Sequence, residues 1–190
     1  MTAAHPREDD RQERFRRLAA LVHEPLQRYA LRRVEPADVD DIVAETLLVL
    51  WRRLDEVPAD AELPWCYNVA RNCVANLRRS ETRRGRLIRR LAGEAPAAAG
   101  LDGARLELGP DLHGALASLR VKDREVVLLW AWEGLAPREI AIALGTSANA
   151  VSLRLSRAKR RLRAYLSHDE PGQDPTGAGQ ITGVSGKEAR

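Results

Sequence analysis

Five arginines and one lysine crowd the stretch Ser152-Leu-Arg154-Leu-Ser-Arg157-Ala-Lys159-Arg160-Arg161-Leu-Arg163. No Asp or Glu occurs from Ile140 through Ser167. Such a run does no bond-making chemistry. It binds a polyanion, because a local positive field attracts phosphates whatever the overall pI. A second acid-free stretch runs from Leu63 through Ser80 and mixes amides with arginines: Asn68, Arg71, Asn72, Asn76 and Arg79. Amides and guanidinium groups can meet base edges as well as phosphates. Trp65 and Tyr67 stand at its start, where they can stack on unpaired bases. A third group, Asp40, Asp41, Glu45, Leu48 and Arg52, carries acids beside a leucine and suits a protein partner with basic groups.

Helices must position all three groups. In the last stretch, Pro137 suits a first helical turn, where its missing N–H costs nothing. Ile140, Ala141 and Leu144 then recur at helical spacing. Gly145 fits a left-handed helix end and Ser147 an N-cap, whereas Ala136 is a weak cap for the first helix. Val151, Leu155 and Leu162 give the second helix an apolar stripe, with Ser152, Arg154, Arg157, Lys159, Arg160, Arg161 and Arg163 off it or at its edge. Residues 134–163 therefore read as a helix-turn-helix that sets one helix into the major groove of DNA. The competing reading is a helical hairpin with a solvated basic face. Agreement of turn, caps and charge favours DNA.

Upstream, Phe15, Leu18, Val22, Leu26 and Tyr29 mark a helix from about Arg11 to Arg33, which Pro25 should kink or restart. Residues 37–54 form a second helix, with Val39, Ile42, Val43, Thr46, Leu50 and Leu54 on one side. Leu47-Leu-Val-Leu-Trp51 makes it apolar nearly all round, so it is buried on more than one side. Either neighbouring helices or a partner protein cover its far face. Residues 55–63 read as a loop, and Pro64 opens a third helix to about Arg79. Cys66, Val69, Cys73 and Leu77 form its buried stripe, with the amide and arginine face opposite. Amides are poor helix formers, so three on one exposed face suggest a use.

The spacing then dissolves. Residues 85–110, with Gly93-Glu-Ala-Pro-Ala-Ala-Ala-Gly100, read as a flexible linker. A short helix over Leu112, Leu116 and Leu119 and another from Asp123 to Glu133 precede the turn-helix unit. Residues 1–10 and 167–190 read as disordered. The expected organisation is all-α: one domain over 11–84, a linker over 85–110 and a second domain over 111–166.

Composition narrows the function. The net charge is +4, but residues 111–166 alone carry +5. No apolar run reaches the ~20 residues a membrane span needs. The polar, acidic start is unlike a signal peptide, which points to the cytoplasm and no membrane. Cys66 and Cys73 make no disulfide scaffold. With His5, His23, His113 and His168 scattered, no metal-ligand spacing appears, and no metal or cofactor is expected. No phosphate loop, serine elbow or carboxylate pair offers an enzyme a seat.

Three segments taken together resemble the extracytoplasmic-function sigma factors of bacterial RNA polymerase. They are Asp40-Asp-Ile-Val-Ala-Glu-Thr-Leu-Leu-Val-Leu-Trp51, Pro64-Trp-Cys-Tyr-Asn-Val-Ala-Arg-Asn72, and Arg124-Glu-Val-Val-Leu-Leu129 followed by Glu133-Gly-Leu135 and the helix-turn-helix. The resemblance spans residues 11–166. It implies a region 2-like bundle and a region 4-like helix-turn-helix domain on a tether. It implies that Asp40, Asp41, Glu45, Leu48 and Trp51 meet the polymerase core (the β′ coiled coil, with β as a further contact). Asn72 matches the position that takes a flipped base of the −10 element, with Trp65, Asn68, Arg71, Asn76, Arg78 and Arg79 in support. The helix from Ala148 would read the −35 element through Ser147, Asn149, Ser152, Leu153, Arg154 and Arg157, while Lys159, Arg160 and Arg161 would meet phosphates. An anti-sigma factor is an implied partner. Ala44 stands where the family commonly has glutamine, Ser152-Leu153 where it has a basic or small polar pair, and Arg120 where it has proline.

The expected function is promoter recognition and opening with core polymerase. The alternative is a free-standing helix-turn-helix regulator that never touches polymerase. A thiol-dependent enzyme using Cys66 or Cys73 is a third reading, against which their place on the core stripe argues.

Overall fold

The computed structural model describes residues 6–91 and 109–168. The first three helices are α1 (Pro6–Leu31), α2 (Val39–Arg52) and α3 (Glu62–Leu91), joined by short 3-10 turns at Pro36–Asp38 and Leu54–Glu56. The remainder are α4 (Pro110–Ala117), α5 (Val121–Ala131), α6 (Pro137–Leu144) and α7 (Ala148–His168). No strand occurs among the described residues. None of their helices is long and apolar enough to cross a membrane.

The apolar spacing of α1 becomes a packed seam. Leu18, Val22, Leu26 and Tyr29 meet Ile42, Val43 and Leu50 of α2 and Cys66, Val69, Ala70 and Cys73 of α3, all buried. Removing such side chains from water is the main force holding three helices of this size together. Thr46 lies fully buried in the seam. Its hydroxyl donates to the Ile42 carbonyl at 2.7 Å, so the polar group is satisfied within its own helix.

In the second half, Val151, Leu155 and Ala158 of α7 pack with Ile140 and Ala141 of α6 and Val126, Val127 and Leu129 of α5. Helix α4 closes this group against α7. The two halves also touch, α3 lying against α6.

Several boundaries differ from expectation. Helix α1 begins at Pro6, so residues 6–10 are helical rather than disordered, and it runs unbroken through Pro25. The buried seam on both sides of Pro25 holds the helix despite the lost hydrogen bond. Helix α3 starts two residues before Pro64, which sits in its first turn, where proline is tolerated. It continues to Leu91 rather than stopping near Arg79. No proline interrupts the chain between Pro64 and Pro96, and Gly85 alone costs a helix only about 1 kcal/mol. The start of the expected linker, residues 85–91, is therefore helical. Residues 92–108 and 169–190, the bulk of the expected linker and tail, lie outside the described residues.

Candidate nucleic-acid interface

The turn between α6 and α7 is built from local rules. Gly145 takes φ +60° and ψ +45° after the last residue of α6. Its N–H donates to the Ile142 carbonyl at 3.2 Å, and the Thr146 N–H to the Ala141 carbonyl at 2.9 Å. That pair of bonds is a Schellman ending, which demands a residue without a β-carbon penalty. Ser147 then caps α7, its Oγ accepting the Ala150 N–H at 3.2 Å. Ala136 has no acceptor to offer the start of α6. The other half of a capping box substitutes: the Glu139 carboxylate accepts the Ala136 N–H at 2.7 Å.

With Val151, Leu155 and Ala158 facing the core, α7 turns Asn149, Ser152, Leu153, Arg157, Arg160 and Arg161 to solvent, and Leu153 is 50 % exposed. Ser152 is held locally, its hydroxyl donating to the Ala148 carbonyl at 2.9 Å. Arg154 is half-buried. It lines an open cleft of about 780 Å³ with Arg120, Lys122, Asp123, Arg157 and Arg161. No carboxylate pairs with Arg154, Arg157, Arg160 or Arg161 among the described residues. Lys159 goes elsewhere. Its ammonium sits 3.3 Å from the centre of the Trp130 ring, a cation–π contact that turns it toward α5 and away from the Arg157–Arg160 side.

The amide and arginine face of α3 is divided. Asn72, Asn76 and Arg79 are exposed, and Arg79 donates to the Asn76 side chain. Asn68 and Arg71 are engaged by the second half of the molecule. The Asn68 amide donates to the Ala143 carbonyl at 2.9 Å and lies 3.4 Å from that of Ile142. It thereby serves the Ala143 carbonyl, one of those in the last turn of α6 that a helix leaves without a partner within itself. Arg71 Nε donates to Glu125 Oε1 at 2.7 Å. Trp65 is half-buried beneath the Arg53 guanidinium, 5.6 Å away, and Arg53 is itself paired with Glu56.

On α3, two placements correct the sequence reading. Tyr67, expected to stack on bases, is buried with its ring 5.1 Å from that of Tyr29. It lies on the core side of α3 one residue after Cys66, because the apolar stripe is wider than four residues. Arg78, expected to face DNA, turns inward, its Nη2 donating to the Arg33 carbonyl at 2.8 Å.

On α2, the face bearing Asp41, Ala44, Glu45, Leu48 and Arg52 is exposed, with Asp40 beside it, and Leu48 is 46 % exposed. Trp51 does not share that face. It packs edge-on against Phe15, ring centres 5.2 Å apart, under the Arg11 guanidinium, so here it is a strut between α1 and α2.

Sequence reasoning missed one cluster entirely. Glu133, its side chain 2 % exposed, lies between Arg32 and Arg33, with N–O distances of 3.3 and 3.1 Å. Arg33 is buried over the Tyr29 ring at 3.6 Å, and its Nη2 has no hydrogen-bond partner among the described residues. Arg32 also lies over the Trp132 ring at 5.7 Å. One hundred residues separate these partners in the chain, and the only sequence signal is their opposite charge.

Neither cysteine is tuned for nucleophilic chemistry. Burial pushes the Cys66 thiol up to about 12, with Glu62 adding to the rise, and Cys73 up to about 11, with Glu45 adding. Burial likewise raises the Tyr29 and Tyr67 hydroxyls. A nucleophilic thiol needs the opposite shift. No group of three or more His, Cys, Asp or Glu is placed to hold a metal ion among the described residues.

Comparison with known proteins bears on the family and the fold. Residues 111–162 match the family model described as sigma-70, region 4. The chain is 34 % identical over 145 residues to the RNA polymerase sigma factor NccH of Alcaligenes xylosoxydans xylosoxydans, covering 72 % of this chain and 77 % of that one. It is 30 % identical over 148 residues to the RNA polymerase sigma factor CnrH of Cupriavidus metallidurans, again covering 72 % and 77 %. Among solved structures, CnrH in complex with the cytosolic domain of CnrY superposes with a TM-score of 0.55 at 28 % identity, over 83 % of this chain and 90 % of that one. The sigma factor RpoE in complex with the anti-sigma factor NepR from Bartonella quintana superposes equally well, with a TM-score of 0.55. It covers 82 % of this chain and 98 % of that one, and at 24 % identity it speaks for the fold alone.

Proposed function

The chain belongs to the RNA polymerase sigma factors, in the extracytoplasmic-function group, and from that premise we propose how its residues divide the work of starting transcription. The rear domain, residues 111–166, reads the −35 element. Asn149, Ser152, Leu153 and Arg157 on the solvent side of α7 face the bases, and Arg154 reaches them from the groove edge. Arg160 and Arg161, with the Ser147 end of α7, grip phosphates. Two-point arginine contacts to guanine supply sequence preference, while unpaired cations supply affinity through counterion release.

The front domain, residues 11–84, carries two faces. The outer side of α2, with Asp40, Asp41, Glu45 and Leu48, docks on the core enzyme at its β′ coiled coil. The exposed leucine supplies buried apolar area, and the carboxylates choose a basic surface. Helix α3 takes the −10 strand once it is unpaired. Asn72 holds a flipped base, Asn68, Arg71, Asn76 and Arg79 flank it, and Trp65 stacks once Arg53 moves aside. A base captured out of the stack no longer re-pairs, so capture favours opening. The factor works in the cytoplasm, where polymerase is, and an anti-sigma protein is its natural antagonist, as the anti-sigma factor NepR is bound to RpoE.

The observation that carries this reading is the solvent-facing row Ser152, Arg157, Arg160 and Arg161, with no carboxylate among the described residues to neutralise its three arginines, on a helix held by a Schellman turn. Run-off transcription tests it. Purified chain with core polymerase should give discrete transcripts from its host's DNA, and core alone should give none. Tight, specific duplex binding by the isolated chain without any transcript would instead make it a free-standing regulator.

A further inference from the structure

Helix α3 runs on to Leu91, well beyond the residues that the proposed −10 site uses. At 3.6 residues per turn, Asn72, Asn76, Arg79, Arg83 and Arg86 fall within about 40° of one line along the helix. All five are exposed. The amides end at Asn76, and from Arg79 onward the row is arginine alone. No carboxylate pairs with Arg79, Arg83 or Arg86 among the described residues. Glu81 is the one acid in the sequence between Glu62 and Glu94, and its position falls on the opposite side of the helix. A face kept merely soluble mixes its signs, whereas this one sorts them.

We infer that Arg83 and Arg86, with Arg79, hold backbone phosphates of the still-paired DNA upstream of the −10 element, so that α3 grips both sides of the edge of the opened region. The inference extends the reading of Asn72 as the captor of an unpaired base and rests on it.

Residue types decide between paired and unpaired DNA. A single strand is held by aromatic stacking and by amides that reach base edges. After Asn76, α3 offers neither amide nor aromatic up to Leu91. Arginines alone recognise phosphates whatever the base, and paired DNA carries twice as many phosphates per length as one strand. Direction follows from the chain. Helix α3 leads from the −10 residues toward the domain proposed to read the −35 element, so its arginine end faces upstream. Spacing agrees. At about 1.5 Å per residue, Arg79 lies about 10 Å and Arg86 about 21 Å along the axis from Asn72. At about 3.4 Å per nucleotide of one strand, that is roughly three to six nucleotides from the captured base. One unbroken helix joins the two sets of residues, so the distance between them is fixed. Phosphates anchored beside the captured base keep the paired side in place while the other side opens.

The test uses the full chain bound to core polymerase and a fluorescein-labelled promoter fragment from a start site mapped by the run-off assay. The −10 bases of this probe are left unpaired by mismatch, and a trimmed version lacks the duplex upstream of them. Binding is read by anisotropy against salt. The Arg83→Ala/Arg86→Ala double variant should bind the long probe more weakly and lower its salt slope by about 1.8 units, the counterion release of two phosphate contacts. It should bind the trimmed probe as the parent does. Arg83→Lys/Arg86→Lys should restore the slope. Arg84→Ala, exposed on another side of the helix, should leave it unchanged. A parent-like slope in the alanine double variant overturns the inference, as does an equal loss on both probes or an equal loss in Arg84→Ala. Asn72→Ala keeps the two readings apart. Where it weakens binding of the trimmed probe, an unchanged slope in the double variant is the failure of the arginine row alone. Where Asn72→Ala binds the trimmed probe as the parent does, the −10 assignment of α3 fails and the duplex grip falls with it.

Discussion

Helix α7 turns Asn149, Ser152, Arg157 and Arg160 into solvent, whereas α3 commits Asn68 and Arg71 to the other half of the molecule. Both faces are rich in nitrogen donors and poor in acids, yet one is ready and the other half-covered. On the roles proposed above, the difference tracks what each would bind. Duplex DNA is always present, and a cationic helix can meet it at any time. An unpaired strand exists only after opening, and a face with exposed amides and arginines would find wrong partners until then. Availability, more than composition, separates the two regions.

The comparison can be broken at the level of stability first. Ile140 is fully buried beneath the turn of the helix-turn-helix. Ile140→Ala should cost the rear half about 2–5 kcal/mol. Hydrogen exchange should show α5–α7 losing protection while the α1–α3 seam keeps its own. Equal loss everywhere would make the two regions one cooperative unit.

Alkaline pH acts on the opposite half. Cys66 and Cys73 lie in the α1–α3 core, and folding raises their thiols from an ordinary value of 9.0 to about 12 and about 11. The unfolded chain gives up these protons first, so stability is full below pH 9 and falls as pH rises toward the folded values. Burial of Tyr29 and Tyr67 works with the same sign at higher pH. By pH 11 the front half should lose on the order of a few kcal/mol, read as thermal melting against pH, with α4–α7 moving less. In the native chain at pH 8 neither thiol should react with iodoacetamide. Rapid labelling would place the thiols outside the core.

Contacts to DNA separate the regions next. Arg157→Ala should cost about 1–3 kcal/mol at one −35 base pair and little at others. Asn72→Ala should leave −35 binding intact and reduce permanganate reactivity around −10 in the polymerase complex. Reactivity equal to the parent's would remove Asn72 from opening. The smallest effect expected is that of Lys159→Ala. With its ammonium over Trp130, the loss should be about 0.5–1 kcal/mol of stability. The salt dependence of duplex binding should stay as it was. A slope lower by about one unit would return Lys159 to the phosphates.

Gly145, Ser147 and the Val151–Leu155 stripe show what a chain of this kind reveals unaided. A left-handed stop, a cap and a helical stripe are decided within a few residues, so their outcome is written locally. The same holds for the α2 face and for Cys66 and Cys73, whose spacing alone sends them to the core. Helix ends were less legible. Nothing near Arg79 stops α3, and a helix without a stop continues until propensity or packing fails. Side chains at the edge of a stripe were misread for a related reason. Tyr67, Arg78 and Trp51 stand where a shift of about one residue decides between solvent and a neighbour, and only the neighbour settles it.

Sequence alone determined that the described residues are helical and without strands, that the rear helix is a cationic rod on a tight turn, and that both thiols belong to the core. Local propensity, capping and the 3.6-residue period carry that information over short stretches of chain. Tertiary structure alone decided that Asn68 serves α6, that Arg71 meets Glu125, and that Glu133 lies buried between Arg32 and Arg33. These partners stand 54 to 101 residues apart. Their meeting depends on how two packed bodies dock, and no local period in the chain records that.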